Sequence, residues 1–181
     1  MTGEIRVRRD RDASLDVVSD LNPFPVEVVK GPGEGKLRQW RIPISVSTTA
    51  YTANDAVGQL IKLDGAARGP IGCGAIVSVT VIDLSDQGAA LALAIFDNIF
   101  TPTADNSAMA VSDADAVKCI GQLPILTTDY TDFGGFKIAT VMNQWLGYQC
   151  VDGNLYAQLL TTGTPTYAVG ELYLRVTALM D

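Results

Sequence analysis

The chain has 181 residues, 48% of them hydrophobic and 18% charged, with 13 Lys/Arg against 20 Asp/Glu and a formal net charge of −7. It contains no histidine, which excludes Ser-His-Asp and Cys-His catalysis and removes the commonest metal ligand. The length fits one domain with a core that needs no disulfide or metal staple, and the acidic balance argues against non-specific nucleic-acid binding, where each phosphate contact needs a cation.

Charge is uneven along the chain. Residues 1–41 carry eight basic and seven acidic residues, and residues 42–181 carry five and thirteen. The first segment opens with Glu4, Arg6, Arg8, Arg9, Asp10, Arg11 and Asp12 in mixed sign. It lacks the apolar core of a signal peptide, so none is expected. Leu15, Val17, Val18 and Leu21 are spaced for a short helix that Asn22-Pro23-Phe24-Pro25 would end. Gly31-Pro32-Gly33-Glu34-Gly35 reads as a link. Residues 1–39 are therefore expected to form an arm and linker, and residues 40–181 the folded domain. Leu21, Phe24 and the valines at 26, 28 and 29 give the arm apolar surface to bury, unlike a frayed tail. Arg6, Arg8, Arg9, Arg11, Leu21 and Phe24 are the candidate contacts to a neighbouring subunit or another protein surface.

From Trp40 the pattern is that of strands. Residues 41–49 form one, with Pro43 marking an edge. A polar turn at 51–58, a short strand at 60–63 and a Gly/Ala/Pro loop at 64–74 follow. Residues 73–98 hold two apolar runs around Ser85-Asp86-Gln87-Gly88, which reads as a central β-hairpin. In the first run Ile76, Ser78, Thr80 and Ile82 share a face opposite Val77, Val79 and Val81. In the second, Leu91, Leu93 and Ile95 oppose Ala90, Ala92 and Ala94. The Ala/Leu content of 89–96 also suits a helix, but period 2 separates large from small residues. Both runs have two largely apolar faces, as strands buried between layers do.

Residues 98–112 form a connection, and Asp113, Asp115 and Ala116 open a turn or short helix. Strands are predicted at 117–123, 136–142 and 145–151, the last paired across Asp152-Gly153 with 155–162. The chain closes on 171–179, with Leu172, Leu174, Val176 and Ala178 inward. The sum is an all-β, jelly-roll-like antiparallel β-sandwich of about eight or nine strands with an extended N-terminal arm.

Candidate chemistry is sparse. Cys73, Cys119 and Cys150 show no metal spacing and read as buried free thiols. Asp83 and Asp97 sit near strand ends and are a possible carboxylate pair, for which a glycosidase needs about 5–10 Å of separation. Asp105, Asn106, Asp113 and Asp115 supply oxygens for calcium, without the EF-hand spacing. Tyr130, Phe133, Phe136, Trp145, Tyr148, Tyr156, Tyr167 and Tyr173 could line a sugar groove or fill a core. No catalytic residue, cofactor or metal site is assigned, and a non-enzymatic protein is expected. No apolar run spans a membrane.

Several stretches carry a resemblance. They are Tyr51-Thr52-Ala53-Asn54-Asp55-Ala56-Val57-Gly58, Leu63-Asp64-Gly65-Ala66-Ala67-Arg68, the strand at 79–83, Leu93-Ala94-Ile95-Phe96-Asp97, and the ending from Asn154 through Tyr167 with its closing strand. Over roughly residues 40–179 the chain resembles tailed-bacteriophage virion proteins, the head decoration or cement proteins. The arm lies outside the resemblance. It implies a jelly roll on the capsid exterior, a homotrimer at capsomer junctions bound to the major capsid protein and stabilising the expanded shell. Assembly would take place in the bacterial host cytoplasm, with no nucleic-acid, membrane or small-molecule partner. The row of Ala90, Ala92 and Ala94 suits close layer or subunit packing. The competing reading is a carbohydrate- or receptor-binding β-sandwich module of a phage tail or baseplate.

Overall fold

The computed structural model describes residues 6–7, 16–17 and 36–180. The chain divides into two units, Met1–Pro32 and Gly33–Asp181. In the first, β1 (Arg6–Val7) pairs antiparallel with β2 (Asp16–Val17), Arg6 opposite Val17. Val17 therefore lies in a strand and not in the short helix that its spacing predicts.

In the second unit the described residues form two antiparallel sheets. The strands are β3 (Lys36–Ile44), β4 (Ala56–Leu63), β5 (Cys73–Asp83), β6 (Leu91–Phe96), β7 (Cys119–Ile125), β8 (Tyr130–Asp132), β9 (Lys137–Gln149), β10 (Leu155–Thr161) and β11 (Leu172–Met180). One sheet runs β3-β11-β5-β9-β8 and the other β4-β10-β6-β7. With the short edge strand β8 set aside, eight strands pair first with last, second with seventh, third with sixth and fourth with fifth. This is one long antiparallel ribbon folded and wound into two layers, the jelly-roll arrangement. The fold expected from the sequence is the fold observed.

The central hairpin is not. β5 pairs with β11 and β9, whereas β6 pairs with β10 and β7. Residues 84–90 cross from one sheet to the other. The Asp83 carboxylate shapes this crossing by accepting from the Ser85 N–H at 3.0 Å and the Gly88 N–H at 2.7 Å. Asp152-Gly153 likewise joins β9 to β10 in different sheets, not two paired strands. Turn chemistry reports that the chain reverses; it does not report which layer it enters.

Two further details differ. β9 is one strand where two were predicted, and three of its residues, 143–145, face the single residue Val77 of β5. That bulge resets the β5 alternation, so Ile76 turns inward with Val79 and Val81 instead of outward with Ser78 and Thr80. β3 begins at Lys36, pinned where Trp40 Nε1 donates to the Asp64 carbonyl at 3.0 Å and Arg38 lies over the Trp40 ring. Pro43 is on an edge strand, as expected.

The main core lies between the sheets. Leu93, Ile95, Leu155 and Leu159 face Val79, Val81, Leu174 and Val176, all essentially inaccessible to water. A second cluster, Ala94, Phe96, Phe100 and Tyr156, lies on the other side of the four-stranded sheet. Every residue of β6 is consequently buried. The connection of residues 97–112 supplies this cover. Phe100 stacks on Phe96 with ring centroids 3.8 Å apart. The buried Gln158 side chain accepts from the Thr103 N–H at 3.0 Å and donates to the Thr103 carbonyl at 2.6 Å. The alanine row thus accommodates the chain's own connection.

Candidate functional site

Arg6 lies in β1; Arg8, Arg9, Arg11, Leu21 and Phe24 lie outside the described residues. The acidic candidates separate. Asp83 ends β5, while the Asp97 carbonyl accepts from the Val151 N–H beyond the far end of β9. Ten residues of β5 separate those two ends of the sheet, about 33 Å, so Asp83 and Asp97 share no cleft. Asp105 accepts from the Tyr51 hydroxyl and the Gly58 N–H, both at 2.7 Å. Gly58 has φ 74°, and a Cβ there would lie 3.2 Å from the Ser45 carbonyl oxygen, so glycine is required for this amide to face Asp105. Asp115 is buried and serves as a local brace. It accepts from Lys118 Nζ at 2.6 Å and the Thr101 N–H at 3.1 Å. The hydrogen bond from Lys118 leads in holding its carboxyl below the usual carboxylate range. Asp105 and Asp115 are thus committed to different protein partners.

Of the cysteines expected to be buried, Cys73 and Cys119 are exposed and Cys150 is buried. Burial pushes the Cys150 thiol up to about 12. A thiol reagent at neutral pH should modify two cysteines per native chain, and the third only on unfolding. Rapid titration of three native thiols would contradict the structure.

The aromatic set does not converge either. Tyr148, Tyr156 and Tyr167 are core residues, and Tyr130 packs against the core. Phe133 is exposed at the β8–β9 turn, stacked on Phe136 at 5.2 Å. Trp145 is exposed on the β9 bulge with φ 46°, and Tyr173 projects from β11. No groove gathers them.

What the fold does assemble is an open face. The four-stranded sheet is covered by residues 97–112, while the five-stranded sheet presents outward rows of side chains. Pro43, Tyr173, Ile82 and Ile138 form one row in register; Arg41, Arg175, Thr80 and Thr140 form the next. A third row holds Gln39, Thr177, Ser78 and the exposed Met142. Gln39 and Thr177 are hydrogen-bonded at 3.3 Å, as are Thr80 and Thr140 at 3.2 Å. Strands β3, β5, β9 and β11 contain one carboxylate, the buried Asp83. Over these four strands the face therefore carries positive charge among apolar and neutral polar side chains, on a chain that is acidic overall. Sequence reading finds the outward alternation of β11, but Arg41 and Arg175 become neighbours only through pairing of the first and last strands of the sandwich.

No protein-family model matches the chain, and no curated protein matches it. Among solved structures, a chain of Desmodium yellow mottle tymovirus is similar at 10% identity over 83% of this chain and 90% of that one, with a TM-score of 0.25. A likeness at that level carries no argument about fold or function.

Proposed function

We propose that the chain is a non-enzymatic virion structural protein that decorates a tailed-phage capsid. It binds the major capsid protein at capsomer junctions on the outer surface and stabilises the expanded shell, as a homotrimer. The observation that carries this reading is the eight-strand jelly-roll order together with one broad sheet face that holds no more than a shallow hollow. Such a face suits contact with another protein surface better than enclosure of a small ligand. The jelly roll also occurs in lectin domains, so fold alone does not carry the function; the scattered aromatics favour the structural role over the sugar-binding module.

The test is co-sedimentation of the purified chain with expanded, DNA-free shells of its cognate capsid protein. Saturable binding that raises the shells' disruption temperature is expected. Absence of binding, with saturable glycan binding instead, overturns the reading in favour of the tail or baseplate module. Deleting residues 1–35 should weaken shell attachment several-fold while leaving the melting temperature of the sandwich within a few degrees. Unchanged occupancy by the shortened chain would remove the arm from the contact.

A further inference from the structure

The geometry points to a head-to-tail contact between copies of this chain, in which the Asp132-Phe133 tip of one copy seats beside the Arg41–Arg175 pair of the next. It deepens the homotrimer reading and rests on it only for the expectation that copies assemble.

The receiving side is electrostatically unfinished. Arg41 and Arg175 stand directly opposite each other on β3 and β11, and like charges in that position destabilise a sheet. Neither has an ion pair among the described residues. Glu171, the residue before β11, accepts from the Ser85 hydroxyl at 2.6 Å. Beside the pair, Pro43, Ile82 and Tyr173 wall a shallow hollow. Two guanidinium groups beside an apolar wall are complementary to a carboxylate next to an aromatic ring.

The β8–β9 tip has that composition. Phe133 is 56% exposed. The adjacent Asp132 receives the Gly134 N–H on one carboxylate oxygen at 2.7 Å. Its other oxygen has no partner among the described residues. Gly134 and Gly135 stand in open space, so the tip projects freely.

Position makes the contact one between copies. The tip belongs to the β8 edge, and the arginines lie at the β3 edge of the same sheet. Three strand spacings, about 14 Å, separate β8 from β11, so a chain cannot satisfy its own arginines with its own tip. Joining opposite edges head to tail is a heterologous contact, which forms a ring where the rotation closes, as the homotrimer reading requires.

The test is light scattering on the full chain over a range of concentrations, with Arg175→Glu, Asp132→Lys and the two combined. The native chain should have three times its 19.2 kDa mass. Each single substitution should weaken association at least ten-fold, and the double substitution should restore it. Arg175→Glu places a carboxylate opposite Arg41, so its melting temperature should not fall; Phe133→Ser repeats the test should Asp132→Lys fold poorly. A native chain of single mass at all concentrations overturns the contact. Single variants that keep the native mass, or a double variant that regains nothing, overturn it too. Shell binding by a monomeric native chain would leave the decoration reading standing while removing this one.

Discussion

Replacing Phe100 with alanine is expected to cost about 3–5 kcal/mol, as truncation of a buried phenylalanine does. For a chain of this length that corresponds to a fall in melting temperature of roughly 10 °C. Phe100 is the largest apolar anchor of a connection that also packs Val111 on the cluster and is otherwise held by polar links; its ring has Phe96 on one side and Ala94 and Tyr156 around it. Alanine would leave a cavity under a segment still held by Gln158 at Thr103, by Asp115 at Thr101 and by Lys118 Nζ at the Ile99 carbonyl. The loss should therefore be local first. Hydrogen exchange should accelerate across residues 97–112, while the facing strands β5 and β11 keep their protection. A variant that loses less than about 1 kcal/mol, or exchanges faster uniformly, would show that the polar links hold the connection without the ring.

The same cluster shows why the fold could be read and the layer assignments could not. Leu91, Leu93 and Ile95 against Ala90, Ala92 and Ala94 announce a strand buried on both faces, and β6 is one. What fills the small side is a segment of Thr, Pro, Asp and Asn whose one stacking residue, Phe100, carries no periodic signal. Similarly, Ser85-Asp86-Gln87-Gly88 and Asp152-Gly153 have the composition of hairpin turns. In a wound sandwich the same residues carry the chain between layers, and only the ladder partners distinguish the two outcomes. The β9 bulge was hidden for a related reason: Asn143 and Trp145 adopt left-handed backbone at φ 60° and 46° without a glycine to signal it. The Arg41–Arg175 face is a product of pairing across 134 positions of sequence. Local pattern locates each arginine on an outward strand position and goes no further.

Asp83 offers the second large effect, and one whose pH dependence has a definite sign. Its carboxylate is fully buried at the crossing between sheets, where it accepts from Ser85 and from Gly88, itself buried. Asp83→Ala strips both donors of their partner, at about 1–3 kcal/mol for each one left unsatisfied. Burial pushes the carboxyl above its ordinary value of 3.8, against the opposing pull of the Gly88, Ser85 and Gln87 N–H groups and the nearby Lys137 charge. Over the window above 3.8 the folded chain thus keeps a proton that the unfolded chain has released. The group's contribution to stability is complete below the unfolded value and declines as pH rises through the folded one. Asp115 and Asp152, held low chiefly by hydrogen bonds from Lys118 and Tyr156, do the reverse and lose stability as pH falls. Because both remain in an Asp83→Asn variant, they cancel when it is compared with the native chain. The native urea midpoint minus that of the Asp83→Asn variant should therefore fall as pH rises from 3.5 to 7. A native-minus-variant difference that rises with pH would mean that the carboxylate's bonds to the crossing loop outweigh its desolvation, and that Asp83 braces the turn as a charge and not as an acid.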